Sequence, residues 1–128
     1  MKPLLPAAVL YAKNLPKVAS FYANVTGLTI THEEADHIVL ESDAFQLVVV
    51  AIPNRRAASI HITEPPQRRE NTAIKLVFPV ISIATARQLA SLHGGELNDA
   101  SREWMFQGAC VCDGHDPEGN VVQFRERS

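Results

Sequence analysis

AAVLYAKNLPKVASFYANVTGL, residues 7–28, holds a complete strand–helix unit. Its opening AAVLYAK is short and apolar, the pattern of a strand. Asn14 then offers a side-chain oxygen to cap a helix, and Pro16 falls inside the first turn, where a missing N–H costs nothing. Val18, Phe21, Tyr22 and Val25 recur at helical spacing, and Gly27 supplies the stop. The spacing predicts a helix over 16–26. Working outward, Leu28–His32, Ile38–Glu41 and Phe45–Ile52 read as strands, the last two separated by the turn-forming Ser42-Asp43. The first half is β-α-β-β-β.

The same order returns further on. Ile74–Val80 alternates as a strand, and Ser82 is placed to cap a helix over 83–93 carrying Ile83, Ala86, Leu89, Ala90 and Leu92. Gly94-Gly95 ends it. Glu96–Asn98 is a short strand and Trp104–Cys112 a longer one. Asp116-Pro117-Glu118-Gly119 then makes a tight reversal into Asn120–Arg125. Pro117 fixes φ, Gly119 accepts φ > 0, and Asp116 can bond the backbone ahead of it. A pattern repeat of about 60 residues is the strongest organisational signal. Between the halves, residues 53–72 hold Pro53, Pro65, Pro66 and the arginines Arg55, Arg56, Arg68 and Arg69. They read as a linker with a short extended piece at Ser59–Thr63. With no aromatic residue interleaved, the arginines read as solvated loop charges.

Composition narrows the function classes. The chain has 128 residues, 46% hydrophobic and 20% charged, which suits one globular domain. A net charge of −2 creates no field for nucleic acid or an anionic membrane. No apolar run approaches the roughly 20 residues that span a bilayer. Two prolines interrupt the first six residues, so no signal peptide is expected and the location is read as cytoplasmic. Cys110 and Cys112, two apart on a strand, share a face in a geometry too strained for an ordinary disulfide, and two thiols do not complete a tetrahedral metal site.

Lys13-Asn14-Leu15, then Phe21-Tyr22, then Thr26-Gly27-Leu28 resembles the first-module signature of the vicinal-oxygen-chelate superfamily. That group includes lactoylglutathione lyases, extradiol dioxygenases, fosfomycin-modifying enzymes and bleomycin-binding resistance proteins. Asp116-Pro117-Glu118-Gly119-Asn120 followed by Val121-Val122-Gln123-Phe124 is similar to the turn before its last strand. The resemblance spans residues 7–126. It implies an α+β fold of paired βαβββ modules forming a curved, mixed, eight-stranded sheet with a central cleft. The single domain, 1–128, would consist of modules 7–52 and 73–126 joined by the linker 53–72. Pairing of modules within one chain or between two is left open; a homodimer is expected, since a module of this size buries little of its sheet alone.

Alternation assigns the faces. Ala8, Leu10 and Ala12, with Ile74, Leu76, Phe78 and Val80, and with Val122 and Phe124, should lie under the helices. Tyr11, Lys75, Val121, Gln123 and Arg125 should line the inner face, with Gln46 beside them. Metal-using relatives place His, Glu or Gln ligands on the first, fourth, fifth and last strands. The resemblance maps these places onto Ala7, a residue near Gln46 or Leu47, Lys75 and Gln123. Ala7 has no donor atom, and an ammonium repels a cation. The set falls short of the roughly three protein ligands a working site needs. His32, His37, His61, His93 and His115 read as surface or turn residues; His115 adjoins an expected turn at Gly114.

These readings give a metal-independent module without a cofactor. It would bind an apolar or aromatic ligand, including an anionic one, in a cleft of Tyr11, Gln46, Lys75, Trp104 and Gln123. No catalytic residue is assigned. The alternatives are a lyase or dioxygenase-like enzyme with an atypical divalent-metal site, and a structural subunit with a filled cleft.

Overall fold

The computed structural model describes residues 2–128; Met1, the first residue of the expected 1–128 domain, lies outside the described residues. The first module runs β1 (Ala7–Ala12), α1 (Leu15–Thr26), β2 (Thr29–Glu33), β3 (His37–Glu41) and β4 (Gln46–Ala51). Its sheet has the order β1-β4-β3-β2, with β1 and β4 parallel. After a one-turn helix α2 (Asn54–Ala57) come β5 (Leu76–Pro79), α3 (Ile83–Leu92), β6 (Glu96–Leu97), a 3-10 turn at Ala100–Arg102, β7 (Trp104–Phe106), β8 (Ala109–His115) and β9 (Val121–Arg127). The second sheet has the order β5-β9-β8-β6, with β7 also on β8 and β5 parallel to β9.

The α+β class and the two βαβββ-like modules agree with the sequence reading, with local differences. The strands form two sheets of four and five strands. The fifth strand arises because the expected strand 104–112 is a hairpin: Gln107 and Gly108 take φ of 48° and 78°, the two positive values of a hairpin turn that matches strand twist. Gly114 lies inside β8, which continues to His115. Ser59–Thr63 forms no strand; the regular element of the linker is α2. Ile74 precedes β5 and is exposed rather than packed under a helix.

The two long helices, α1 and α3, are held by the expected caps. Asn14 Oδ1 accepts from Lys17 N at 3.2 Å and Gly27 closes α1 at φ 79°. Ser82 Oγ accepts from Thr85 N at 3.1 Å, and Glu126 Oε1 accepts from Ile83 N at 2.6 Å. The helices pack on each other, α1 also on β3 and β4, and α3 also on β6 and β9. A single core results, with Val18, Phe21 and Tyr22 of α1 among Leu47, Phe78, Ala86, Ala90 and Phe124. The helix pair therefore lies between the sheets, and the other face of each sheet is left open.

The Asp-Pro-Glu-Gly-Asn turn locks the modules together. Glu118, fully within the second module by sequence, accepts from Lys13 N at 2.9 Å through Oε1 and from Asn14 N at 2.7 Å through Oε2. The capping residue of α1 is thus itself held from the other module. Asp116, with no exposed surface, accepts from Tyr22 Oη at 2.8 Å, from the N–H groups of Glu118 and Asn120, and from Asn120 Nδ2. Burial pushes the Tyr22 phenol well up, with the Asp116 charge adding to it, so the phenol stays a donor. Burial also raises the Asp116 carboxyl, against the pull of its donors. Gly119 at φ 85° lets the linker pass: a Cβ there would stand 2.0 Å from Gln67 O.

Candidate functional site

The open face of the second sheet is set by pairing register. Val77 lies opposite Gln123 and Asp113 opposite Gln123 on its other side, so these three share a row. Pro79, Arg125, Val111 and Trp104 form the next row across β5, β9, β8 and β7. The opposite face carries Phe78, Val122, Phe124 and Cys112, all in the core.

A directed chain of hydrogen bonds runs along this face. Lys75 Nζ donates to Asp113 Oδ2 at 2.8 Å, and Gln123 Nε2 donates to Asp113 Oδ1 at 3.1 Å. Gln123 Oε1 in turn accepts from Arg125 Nε at 2.9 Å. The Arg125 guanidinium carbon sits 5.0 Å from the Phe106 ring centre, a cation–π contact. Both Asp113 oxygens are engaged and the Gln123 amide is used at both ends. The two ends of this chain are cationic and keep N–H groups without a partner among the described residues, on Lys75 Nζ and on the Arg125 guanidinium, beside the unused lone pairs of Asp113 and Gln123. Lys75, Asp113 and Arg125 together carry one net positive charge.

The first sheet presents a different face. Ala7 is directly opposite Gln46, and Tyr11 is opposite Val50, so Tyr11 and Gln46 share the side away from the helices. Leu47 is fully buried on the helix side, which places Gln46, not Leu47, on the open face. Gln46 Nε2 donates to Glu41 Oε2 at 2.7 Å and Lys2 Nζ pairs with Glu41 Oε1 at 2.5 Å; these two bonds hold the Glu41 carboxyl below its ordinary range. Tyr11 remains 62% exposed and Val9 58%.

Lys75, Gln123 and Trp104 therefore lie on one sheet, Tyr11 and Gln46 on the other, and no hydrogen bond among the described residues joins the two sets. Asp113 escapes the sequence reading because the strand is expected to end at Cys112; the alternation of β8 against Gln123 is the signal that finds it. Lys75 is consequently an ion-pair partner of a carboxylate, Asp113, where the sequence offers either a ligand contact beside Gln123 or an ammonium that reaches the rim or pairs with a glutamate. His115 is buried, with Nδ1 2.9 Å from Asp116 O, and is no surface histidine. Arg68 is half-buried, bonded to Asn98 Oδ1 and paired with Glu70, rather than solvated.

Ala7, Gln46, Lys75 and Gln123 do not fit a divalent metal. One has no donor, one is a cation tied to Asp113, and the two amides are occupied by carboxylates or by Arg125. Among the described residues no group of three or more His, Cys, Asp or Glu is arranged to hold one. Elsewhere, Arg87 Nη2 donates to Glu103 Oε2, and Cys110 Sγ donates to Glu103 Oε1 at 3.2 Å. These bonds lower the Glu103 carboxyl. Glu103 raises the Cys110 thiol, and burial raises that of Cys112. Both cysteines are free.

Two βαβββ-like modules joined back to back through their helices, with open sheet faces, define a protein of the vicinal-oxygen-chelate class. Residues 7–124 match the glyoxalase-like domain, and the chain belongs to that family. Solved structures agree on the fold. A glyoxalase/bleomycin resistance protein from Albidiferax ferrireducens T118 superposes with a TM-score of 0.68 at 13% identity, covering 97% of this chain and 98% of that one. A glyoxalase/bleomycin resistance protein/dioxygenase family enzyme from Burkholderia phytofirmans PsJN gives 0.69 at 15% identity, covering 95% and 97%. The bleomycin resistance determinant encoded on transposon Tn5 gives 0.61 at 12% identity, covering 98% and 99%. No curated protein matches the chain.

Proposed function

We propose that this glyoxalase-like domain is a metal-independent, small-molecule-binding protein. Its ligand has an apolar or aromatic body and an anionic group, and lies against the open sheet faces of modules 7–52 and 73–126. The observation that carries this reading is the net positive charge of the Lys75, Asp113, Gln123 and Arg125 chain, with N–H donors left at its two cationic ends, bordered by Val77, Trp104 and Phe106, which are 41%, 42% and 44% exposed. A few convergent polar groups among apolar walls is the usual make-up of a ligand site. The donor set at Ala7, Gln46, Lys75 and Gln123 supports metal independence.

The functional unit is a homodimer, in which the first sheet of one copy faces the second sheet of its partner. Tyr11 and Gln46 then complete a cleft with Lys75, Trp104 and Gln123. Two observations support this: each chain's helix layer occupies the space between its own sheets, and large apolar side chains stand exposed on both open faces. The free thiols suit a cytoplasmic location, and no helix is long and apolar enough to cross a membrane. Native mass spectrometry tests the reading in one measurement. A metal-free dimer that retains or takes up a small organic acid is the expected result. One transition metal per chain, or a monomer at micromolar protein, would overturn the corresponding part.

A further inference from the structure

The polar chain on the second sheet ends at Arg125, and its environment differs from that of Lys75. The Lys75 ammonium is neutralised by Asp113 at 2.8 Å. Arg125 has no carboxylate partner among the described residues, and neither has Arg127, two positions along the same strand face. Arg125 is nevertheless fixed, by Gln123 Oε1 on its Nε and by the Phe106 ring at 5.0 Å. Its two terminal nitrogens remain as a free planar fork. Both arginines lie in the wall of a cavity of about 680 Å³, which Pro79, Ile81, Gly108 and Ala109 also line. Trp104, Phe106 and Val77 lie outside that lining; Trp104 and Phe106 adjoin Arg125 through the strand register and the ring contact, so the arginine stands between the cavity and the apolar sheet face.

We propose that Arg125, assisted by Arg127, is the anion-binding end of the ligand site and takes the carboxylate of an organic acid whose apolar body lies along Trp104, Phe106 and Val77. This rests on the reading of that face as a ligand site, and it names the group that selects the ligand. A guanidinium whose Nε is already engaged presents Nη1 and Nη2 side by side, the geometry that receives both oxygens of a carboxylate. Holding the fork in place before the ligand arrives removes the ordering cost that a free surface arginine would incur. Gln123 is the positioning residue: its amide is oriented by Asp113 on one side and orients Arg125 on the other. Lys75 sits at the far end of the chain and affects the anion through charge rather than contact.

The test uses 4-phenylbutyrate and its neutral counterpart 4-phenylbutanol, with the fluorescence of Trp104, the single tryptophan, as the readout. The acid is expected to bind the wild-type protein at least about 10-fold more tightly than the alcohol. Arg125→Met should weaken the acid roughly 10- to 100-fold, the span of a charge-assisted hydrogen bond, and leave the alcohol unchanged. Arg125→Lys, which keeps the charge and loses the fork, should fall between, and it decides the matter if the Met variant does not fold. Added salt should weaken only the acid. Equal affinity of the two probes in the wild type, or an acid preference that survives both Arg125 variants, overturns the assignment while the ligand-site reading stands. Failure of both probes to bind overturns the two together.

Discussion

Replacing Glu118 by Gln isolates the lock between the modules. Glu118 is 4% exposed, and its two oxygens accept separately from two consecutive backbone N–H groups, Lys13 at 2.9 Å and Asn14 at 2.7 Å. Glutamine has the same shape but only one acceptor. Whichever way its amide turns, an NH₂ faces an N–H, and one buried backbone donor is left without a partner. A hydrogen bond to a charged acceptor contributes about 1.5–3 kcal/mol, and the orphaned donor keeps the loss in that range. For a chain of this length about 4 °C of melting temperature corresponds to 1 kcal/mol, so Glu118→Gln should lower it by roughly 6–12 °C. Circular dichroism melting alongside Glu34→Gln, which removes only an exposed pair with His32, provides the scale; that control should move by less than about 2 °C. If Glu118→Gln melts with the control, the turn does not hold the modules and the account of the motif fails.

Tyr22→Phe removes one donor from the buried Asp116, so urea midpoints should show a loss of about 1–3 kcal/mol; a neutral result would mean the three donors from Glu118 and Asn120 suffice. On the proposed ligand face, Asp113→Asn frees the Lys75 charge and should tighten 4-phenylbutyrate, whereas Lys75→Met removes it and should weaken the acid; opposite signs would contradict the charge balance read there. Cys112 has no exposed surface, and both thiols titrate above their ordinary value, so iodoacetamide near neutral pH should label the native protein slowly and the urea-unfolded chain at both cysteines. The Glu103 carboxyl is lowered by Arg87 first and Cys110 second, so its contribution to stability is present above the ordinary glutamate value of about 4.3 and is lost as pH falls through the depressed folded value. The melting temperature should therefore drop below about pH 4, and the drop should be smaller in Glu103→Gln.

Local chemistry made much of the fold legible in advance. Asn14, Gly27, Ser82 and Gly94 act on the residues next to them, so the helices appear within a residue of where caps and stops put them. Period-two alternation separated Ala12, Phe78, Val122 and Phe124 from Tyr11, Val77 and Gln123, because strand geometry alone sends neighbouring side chains to opposite faces. Turn chemistry was read less well. Gln107-Gly108 sits inside an apolar run, and the run masked the hairpin and with it the true extent of β8.

Relations across the chain lay beyond that reach. Which sheet face meets which, and that the helices fill the space between a chain's own sheets, depend on how two finished modules pack. The Asp-Pro-Glu-Gly-Asn turn was recognisable as a tight reversal from its own residues, but its grip on Lys13 and Asn14 joins atoms more than 100 positions apart. Asp113 likewise acquires its place only when β8 pairs with β9 in register, bringing Gln123 opposite it and Lys75 within reach. Caps, turns and alternation are written in residues a few positions apart. Charge pairing and free hydrogen-bonding capacity follow only from tertiary contacts, and these are what separate the ion-paired Lys75 from Arg125, which has no carboxylate partner among the described residues and on which the proposed anion site rests.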